Sequence, residues 1–144
     1  MKKCKNVMTK DLVTATPEDT IVDVAQLMKN EDIGPVLVVD DNDSKSLVGI
    51  ITDRDIVLKV IADGQDAQTT RVGEVMSKKL ITCRPDDDVD VAIKAMAQFQ
   101  LRRIPVVDDN MKLVGIISQA DVATRVHEPE KTAEVVKEIS EETA

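Results

Sequence analysis

Apolar residues recur at helical spacing in two places. Ile21, Val24, Ala25 and Met28 fall at i, i+3, i+4 and i+7, and Val89, Ala92, Ile93 and Met96 repeat the stripe. Each stripe predicts an amphipathic helix. Thr20, with Asp23 three residues on, has the form of a capping box for the first, and Asp88 is placed as the N-cap of the second. Ahead of each helix lies a short β-prone run, Leu12 to Thr16 or Leu80 to Arg84, that ends at a proline and an acidic cluster. Behind each come two apolar runs of strand length: Val36 to Val39 with Leu47 to Ile51, and Ile104 to Val107 with Leu113 to Ile117. Continuous apolar runs suit strands covered on both faces, and the Asp/Asn/Ser clusters between them suit turns. A last helix is expected to start in "TDRD" and run through "IVLKVIA", with "SQAD" and "VATRV" as its later counterpart.

The chain is thus written twice. From Val7 and from Val75 the two copies run in register, so that Met8 falls on Met76, Thr14 on Thr82, Pro17 on Pro85 and Val38 on Val106. Two extra residues in "DNDSKS" shift the register, after which "LVGIITDRDIV" matches "LVGIISQADVA". A turn absorbs such an insertion at little entropic cost. The repeating unit is β-α-β-β-α, a mixed α/β (α+β) fold. One copy alone buries a marginal core, so two copies packed together are expected. The expected division is residues 1–62 as the first domain with its core at 7–62, 63–71 ("DGQDAQTTR") as a polar linker, 72–127 as the second domain, and 128–144 as a charged tail. The tail, with Val135, Val136 and Ile139 on one face, reads either as a short docking helix or as a frayed end.

Composition narrows the classes of function. With 42% hydrophobic and 32% charged residues the chain belongs with globular proteins. Phe99 is its one aromatic residue, so the core must be aliphatic and bases have no aromatic platforms to stack on. A net charge of −8 further disfavours nucleic acid and anionic membrane as partners. Cys4 and Cys83 have neither metal-ligand spacing nor a disulfide framework and read as buried or idle thiols in a reducing compartment. No apolar run reaches signal-peptide or membrane-span length, which makes the expected location cytoplasmic. The single histidine, His127, lies in a charged stretch and reads as a solvated side chain, so no Ser/His or Cys/His constellation forms and an enzyme is not expected. The acidic clusters at Asp40 to Asp43, Asp86 to Asp88 and Asp108-Asp109 lack the glycine and distal glutamate of a calcium loop; they read as turns and helix starts, with no metal site expected.

The ordered pattern VM(T/S)…T…P…(I/L)…VVD…LVGII(T/S)xxD, present in both copies from Val7 to about Val126 with Pro105 before VVD in the second, resembles a tandem pair of CBS (cystathionine beta-synthase) domains, a Bateman module of the stand-alone type. The resemblance implies two repeats related by a pseudo-twofold axis, two clefts that bind adenosine-containing ligands such as AMP, ADP, ATP or S-adenosylmethionine, frequent homodimers, no required cofactor and no catalysis by the module itself. It further implies that Asp55 and Asp121, which close G-x-x-(S/T)-x-x-D, accept hydrogen bonds from the ribose hydroxyls. Thr52 or Ser118, with the free N–H groups of the helix starting there, would hold phosphate. The base slot would be walled by Thr14 and Thr82, by Ile33, Gly34, Pro35 and Val36, and by Leu101, Arg102, Arg103 and Ile104. Thr and Asp at a strand-to-helix junction are also ordinary helix starters, so capping alone is the competing explanation of the motif.

The copies differ in charge. Arg54 becomes Ala120, Asp53 becomes Gln119, and Gly34-Pro35 becomes Arg102-Arg103, while Leu37 stands where the family's proline would, at the place of Pro105. If each cleft takes its Asp motif from one copy and its slot from the other, Thr52, Arg54 and Asp55 meet Arg102 and Arg103, and that cleft favours a phosphorylated ligand. The resulting expectation is a regulatory module that senses an adenosyl ligand and signals to an unidentified partner protein. The alternative is a ligand-independent dimeric scaffold.

Overall fold

The computed structural model describes residues 2–125; Val126, expected to close the second copy's last helix, His127 and the expected 128–144 tail lie outside the described residues. In chain order the elements are α1 (Cys4–Val7), β1 (Thr14–Ala15), α2 (Ile21–Glu31), β2 (Val36–Val39), β3 (Leu47–Ile51) and α3 (Asp53–Ile56), then α4 (Val72–Val75), α5 (Val89–Phe99), β4 (Arg103–Val107), β5 (Leu113–Ser118) and α6 (Gln119–Arg125). They make a mixed α and β fold of two compact units. One unit is Val13–Leu80; the other joins the residues up to Leu12 to those from Ile81 onward.

In the first unit β1 pairs parallel with β2, and β2 antiparallel with β3. The helix α2 covers this sheet with Ile21, Val24 and Met28; Ala25, expected in that stripe, is exposed, and Leu27 packs against the cluster instead. At its N-terminus the capping box forms as expected: Thr20 Oγ1 accepts from Asp23 N at 3.2 Å and Asp23 Oδ2 accepts from Thr20 N at 3.3 Å. β2 is buried along its length, whereas β3 alternates between buried and half-buried positions, so one of its faces is only partly covered. Past α3 the helix widens into a π-helical segment, Val57–Ile61, with Ala62 N donating to Val57 O at 2.9 Å.

The second unit repeats the plan with one difference. β4 and β5 pair antiparallel, with a register slip between Val106 and Val107 that matches the slip between Val38 and Val39. The strand expected at Leu80 to Arg84 contracts to a single parallel bridge, Cys83 with Val106. Proline explains the loss. Pro105 O accepts from Cys83 N at 3.1 Å, so the nitrogen of Pro105 faces the same neighbour and has no N–H to extend the ladder. Leu37 occupies this place in the first unit, and there the ladder gains a second pair, Thr14 with Leu37. α5 buries Val89, Ala92, Ile93 and Met96 as its stripe foretold. Asp88 sits at its N-cap position, but its carboxylate accepts from Lys3 Nζ at 2.9 Å rather than capping the helix.

Each sheet is closed by a segment from outside its own strand-helix-strand run. Thr9 N donates to Ile116 O at 2.8 Å and Ile116 N to Thr9 O at 3.0 Å; in the first unit Ser77 and Ile50 exchange the same two bonds at 2.8 and 2.9 Å. A strap, residues 2–9, therefore belongs to the second repeat's sheet, and residues 70–77 form the corresponding strap on the first. The anchors match one for one. Cys4 N donates to Asp87 O, Lys5 N to Pro85 O and Val89 N to Lys2 O, as Val72 N does to Asp19 O, Gly73 N to Pro17 O and Ile21 N to Thr70 O. The residues 63–71, expected as a linker, thus end in a packed strap. α1 and α4 are single turns within the straps and carry no periodic pattern from which sequence could foretell them.

The acidic clusters build turns. Asp40 Oδ1 accepts from the Ser44 hydroxyl and from the N–H groups of Asp41 and Ser46, and these bonds hold its carboxyl below the usual range, the Ser44 hydroxyl contributing most. Asp108 Oδ1 accepts from Asn110 N and Lys112 N in the matching turn.

Glycine recurs where the straps cross the sheets. A Cβ on Gly115 would collide with Met8 Sδ and stand 2.8 Å from its Cγ and 3.0 Å from its Cβ; a Cβ on Gly49 would stand 2.6 Å from Met76 Sδ and 3.0 Å from Ser77 O. At Gly115 the crowding reaches the Cβ of Met8, which cannot turn away; at Gly49 Met76 Sδ can turn away but the backbone oxygen of Ser77 cannot. Gly115→Ala and Gly49→Ala are each expected to destabilise the protein by about 1–3 kcal/mol in urea unfolding. Trimming Met8 to Ala in the Gly115→Ala background should recover part of that loss.

Candidate functional site

The strand-to-helix junctions after β3 and β5 place the candidate carboxylates. Thr52 leaves β3 in extended conformation and caps α3: its Oγ1 accepts from Asp55 N at 3.2 Å, and Asp55 Oδ2 accepts from Thr52 N at 2.9 Å. Ser118 and Asp121 make the same reciprocal pair at 3.1 and 2.9 Å. Capping therefore accounts for the hydroxyl and for one carboxylate oxygen in each copy.

The other oxygen distinguishes the copies. Asp55 Oδ1 lies 3.3 Å from Lys59 Nζ one turn on, and that ammonium also donates to Val75 O at 3.2 Å. Asp121 Oδ1 accepts from the Thr9 hydroxyl of the strap at 3.1 Å. Asp55 retains 19% side-chain exposure beside a half-exposed lysine, whereas Asp121 is 8% exposed. Sequence reasoning missed both Lys59 and Thr9. The signals were present: an i, i+4 acid-base pair, and a hydroxyl after each "VM".

The loop ahead of β2 is fastened to the motif of its own repeat. Asp53 N donates to Gly34 O at 3.2 Å and Val36 pairs with Ile51; likewise Gln119 N donates to Arg102 O at 3.0 Å, and Arg103 and Ile104 pair with Ser118 and Ile117. Thr14 lies on β1 beside Leu37, and Thr82 precedes the bridging Cys83, both half-buried. Ile33, Gly34, Pro35 and Leu101 are half-buried, Val36 and Ile104 are buried, and Arg54, Arg102 and Arg103 are exposed. Thr14, Ile33 to Val36, Thr52, Arg54 and Asp55 thus gather in the first unit, and Thr82, Leu101 to Ile104, Ser118 and Asp121 in the second. Asp53 folds over Gly34, within 3.2 Å of where a Cβ would stand, and puts an acid against the first loop; Gln119 leaves the second loop's two arginines without that acid.

One expectation changes. The first-turn N–H groups read from sequence as free for phosphate are committed in α3, where Asp53 N bonds Gly34 O, Arg54 N bonds Asp53 Oδ1 and Asp55 N bonds the Thr52 hydroxyl. A short helix whose first N–H groups already have acceptors has little left to offer an anion. Arg54, Arg102 and Arg103, all exposed, carry guanidinium donors of their own.

The family model for the CBS domain matches residues 4–62 and 72–128. This chain belongs to the CBS domain family. As a CBS-domain pair it is 39% identical over 140 residues to the CBS domain-containing protein YhcV of Bacillus subtilis, which covers 97% of this chain and 96% of that protein. It is 38% identical over 116 residues to the uncharacterized protein MK0525 of Methanopyrus kandleri; the match covers 81% of this chain but only 58% of that protein's length.

Among solved structures, Hypoxic Response Protein I with two coordinated zinc ions aligns with a TM-score of 0.77 at 30% identity, covering 87% of this chain and 99% of that one. The CBS domain pair of protein MJ0100, in complex with 5′-methylthioadenosine and S-adenosyl-L-methionine, aligns at 0.70 and 30% identity over 85% and 94% of the two chains. CBSX2 in complex with AMP aligns at 0.72 and 25% identity, again over 85% and 94%. Among the described residues of this CBS pair no group of three or more His, Cys, Asp or Glu is placed to hold a metal ion, and no helix is long and apolar enough to cross a membrane.

The environments of the two carboxylates make a stability prediction. Asp121→Ala strips acceptors from Ser118 N and the Thr9 hydroxyl at a buried site and is expected to cost about 1–3 kcal/mol. Asp55→Ala loses a cap and a half-exposed ion pair and should cost nearer 1 kcal/mol. Urea unfolding of the ligand-free variants checks the order.

Proposed function

We propose that this CBS-domain pair is a regulatory protein that binds an adenosine-containing ligand, AMP, ADP, ATP or S-adenosylmethionine, and reports its occupancy to a partner protein. The observation that carries the reading is the duplicated carboxylate. Asp55 and Asp121 stand at the same strand-to-helix junction of each repeat, each beside the loop of its own repeat. In each, one oxygen is bound into the helix cap and the other meets an exchangeable side chain, Lys59 at Asp55 and the Thr9 hydroxyl at Asp121. A vicinal diol can donate to such an oxygen, and the half-buried apolar loop residues Ile33 and Leu101 suit the face of a purine. The complexes of related CBS pairs with AMP and with S-adenosylmethionine support this choice of ligand class.

The two sites are unequal in this reading. Arg102 and Arg103 give the second repeat's loop two exposed cations, whereas the first repeat's loop has Asp53 against Gly34. A phosphorylated ligand favours the arginines, and a less charged adenosyl compound finds less penalty at the other site. The protein acts as a homodimer in the cytoplasm, and the ligand works by favouring one packing of the repeats or of the dimer over another. The proposed role includes no chemical step on the ligand.

A ligand-independent dimeric scaffold is the second reading. What favours it is that all four carboxylate oxygens already have partners within the protein. A melting panel with AMP, ADP, ATP, S-adenosylmethionine and NAD separates the two, since a ligand at a hundredfold excess over its Kd stabilises by about 2.7 kcal/mol. A shift that is lost in the Asp55→Ala, Asp121→Ala double variant is the expected result, and no shift with any compound establishes the scaffold. In calorimetry with the phosphorylated member that binds, two unequal events are expected, with Arg102→Ala weakening the tighter by roughly tenfold. Two equal events that ignore Arg102→Ala would overturn the asymmetry.

A further inference from the structure

Cys4 and Cys83 are far apart in sequence, yet both are buried in one apolar cluster with Val7, Met8, Val89 and Ile104. The strap brings them together. Cys4 N donates to Asp87 O and Lys5 N to Pro85 O, so Cys4 runs alongside the turn that follows Cys83, while Cys83 is fixed from the other side by its bonds with Pro105 O and Val107 N. The two thiols lie in the same cluster, and each sulfur is 3.9 Å from a carbonyl oxygen, that of Asp88 for Cys4 and that of Pro105 for Cys83.

We propose that Cys4 and Cys83 are a disulfide-forming pair that a hydroperoxide oxidises, fastening the strap covalently to the sheet it closes. The thiols differ in a way that assigns their roles. The hydrogen bond from Cys83 lowers the Cys4 pKa, against an opposing effect of burial, and the same contact together with burial raises that of Cys83. Cys4, carried on the strap, is therefore the attacking sulfur, and Cys83, fixed in the sheet by Pro105 and Val107, the resolving one. The Cys4 thiolate attacks one peroxide oxygen, the O–O bond breaks, and Cys4 sulfenic acid and water form. The Cys83 sulfur then attacks the Cys4 sulfur, its proton leaves with the departing hydroxide as a second water, and the S–S bond closes. Two electrons pass from the thiols to the peroxide.

Access comes from the strap. Its far end is fixed to Ile116 and Asp121, while around Cys4 the backbone bonds to Asp87, Pro85 and Val89 are supported by the pairs Lys3–Asp88 and Lys5–Asp86, all four side chains being about half exposed or more. Exposed pairs of this kind hold weakly, so local opening lifts Cys4 out of its cluster without unfolding the rest. Their lysines hold Asp88 and Asp86 below the usual carboxylate range, chiefly through the hydrogen bonds. Such depressed groups contribute stability above the ordinary carboxylate pKa and lose it as pH falls through their own, so the strap is at full strength at neutral pH and loosens only in acid.

The test uses the full chain, reduced and then treated with hydrogen peroxide. Denatured-state thiol titration is expected to fall from two thiols to none with no gain of oxygen, and non-reducing peptide mapping should join the Cys4 and Cys83 peptides within one chain. Dimedone should trap Cys4 in the Cys83→Ser variant far faster than Cys83 in Cys4→Ser. The oxidised protein should melt roughly 5–15 °C above the reduced one, because closing so long a loop restricts the unfolded chain. Two thiols still free after peroxide, disulfides between chains, or an oxidised form that melts below the reduced one would each overturn the proposal.

Discussion

The open edge of a small sheet is the constraint on which the rest of this structure depends. Three short strands, or two, leave a row of N–H and C=O groups unpaired along β3 and β5, and such groups must find partners or invite another chain. Both edges are closed by straps that lie outside the strand-helix-strand run they serve, Thr9 on Ile116 and Ser77 on Ile50. The approach is close enough to require a glycine at Gly115 and at Gly49 and to seat a methionine on each. The same crossing delivers the Thr9 hydroxyl to Asp121 and Cys4 to the cluster around Cys83. One backbone requirement thus places a packing contact, a polar contact and a thiol together.

Much of the repeat was legible because its signals are local. The helical stripe of Val89, Ala92, Ile93 and Met96, the Thr20 capping box and the four central strands each depend on residues within a few positions of one another. The straps were not legible, since four-residue helices have no period to read and their partners are distant in sequence. Their trace was nevertheless present: Met8 and Met76 recur with Gly115 and Gly49 because each methionine lies on the glycine of the other copy's motif. Ala25 misled because a small residue satisfies a helical pattern without needing burial; Leu27 packs there instead. The contraction of the strand expected at Leu80 to Arg84 follows from Pro105, whose consequence depends on which neighbour its nitrogen faces.

At the candidate site the sequence located the carboxylates, and the structure supplied their company. Capping and ligand binding emerge as compatible, because each aspartate has two oxygens and the helix cap uses one. The remaining oxygens differ in their company: a partly exposed lysine at Asp55, and at Asp121 a hydroxyl that belongs to the strap. Occupancy of the second site would therefore be felt directly by the strap, and occupancy of the first by the π-helical segment that carries Lys59.

The exchange of straps also has a consequence for how the chain comes to be folded. During synthesis residues 2–9 emerge well before Asp87, Ile116 and Asp121 exist, so the strap must wait while the intervening unit, Val13–Leu80, is completed. The sheet, helix and strap of that unit all lie within one continuous stretch, whereas the other must close a loop across almost the whole described chain. Contacts of such long range are entropically late and slow folding. The first repeat is thereby cast as the early-folding unit and the second as the step that sets the pace of maturation.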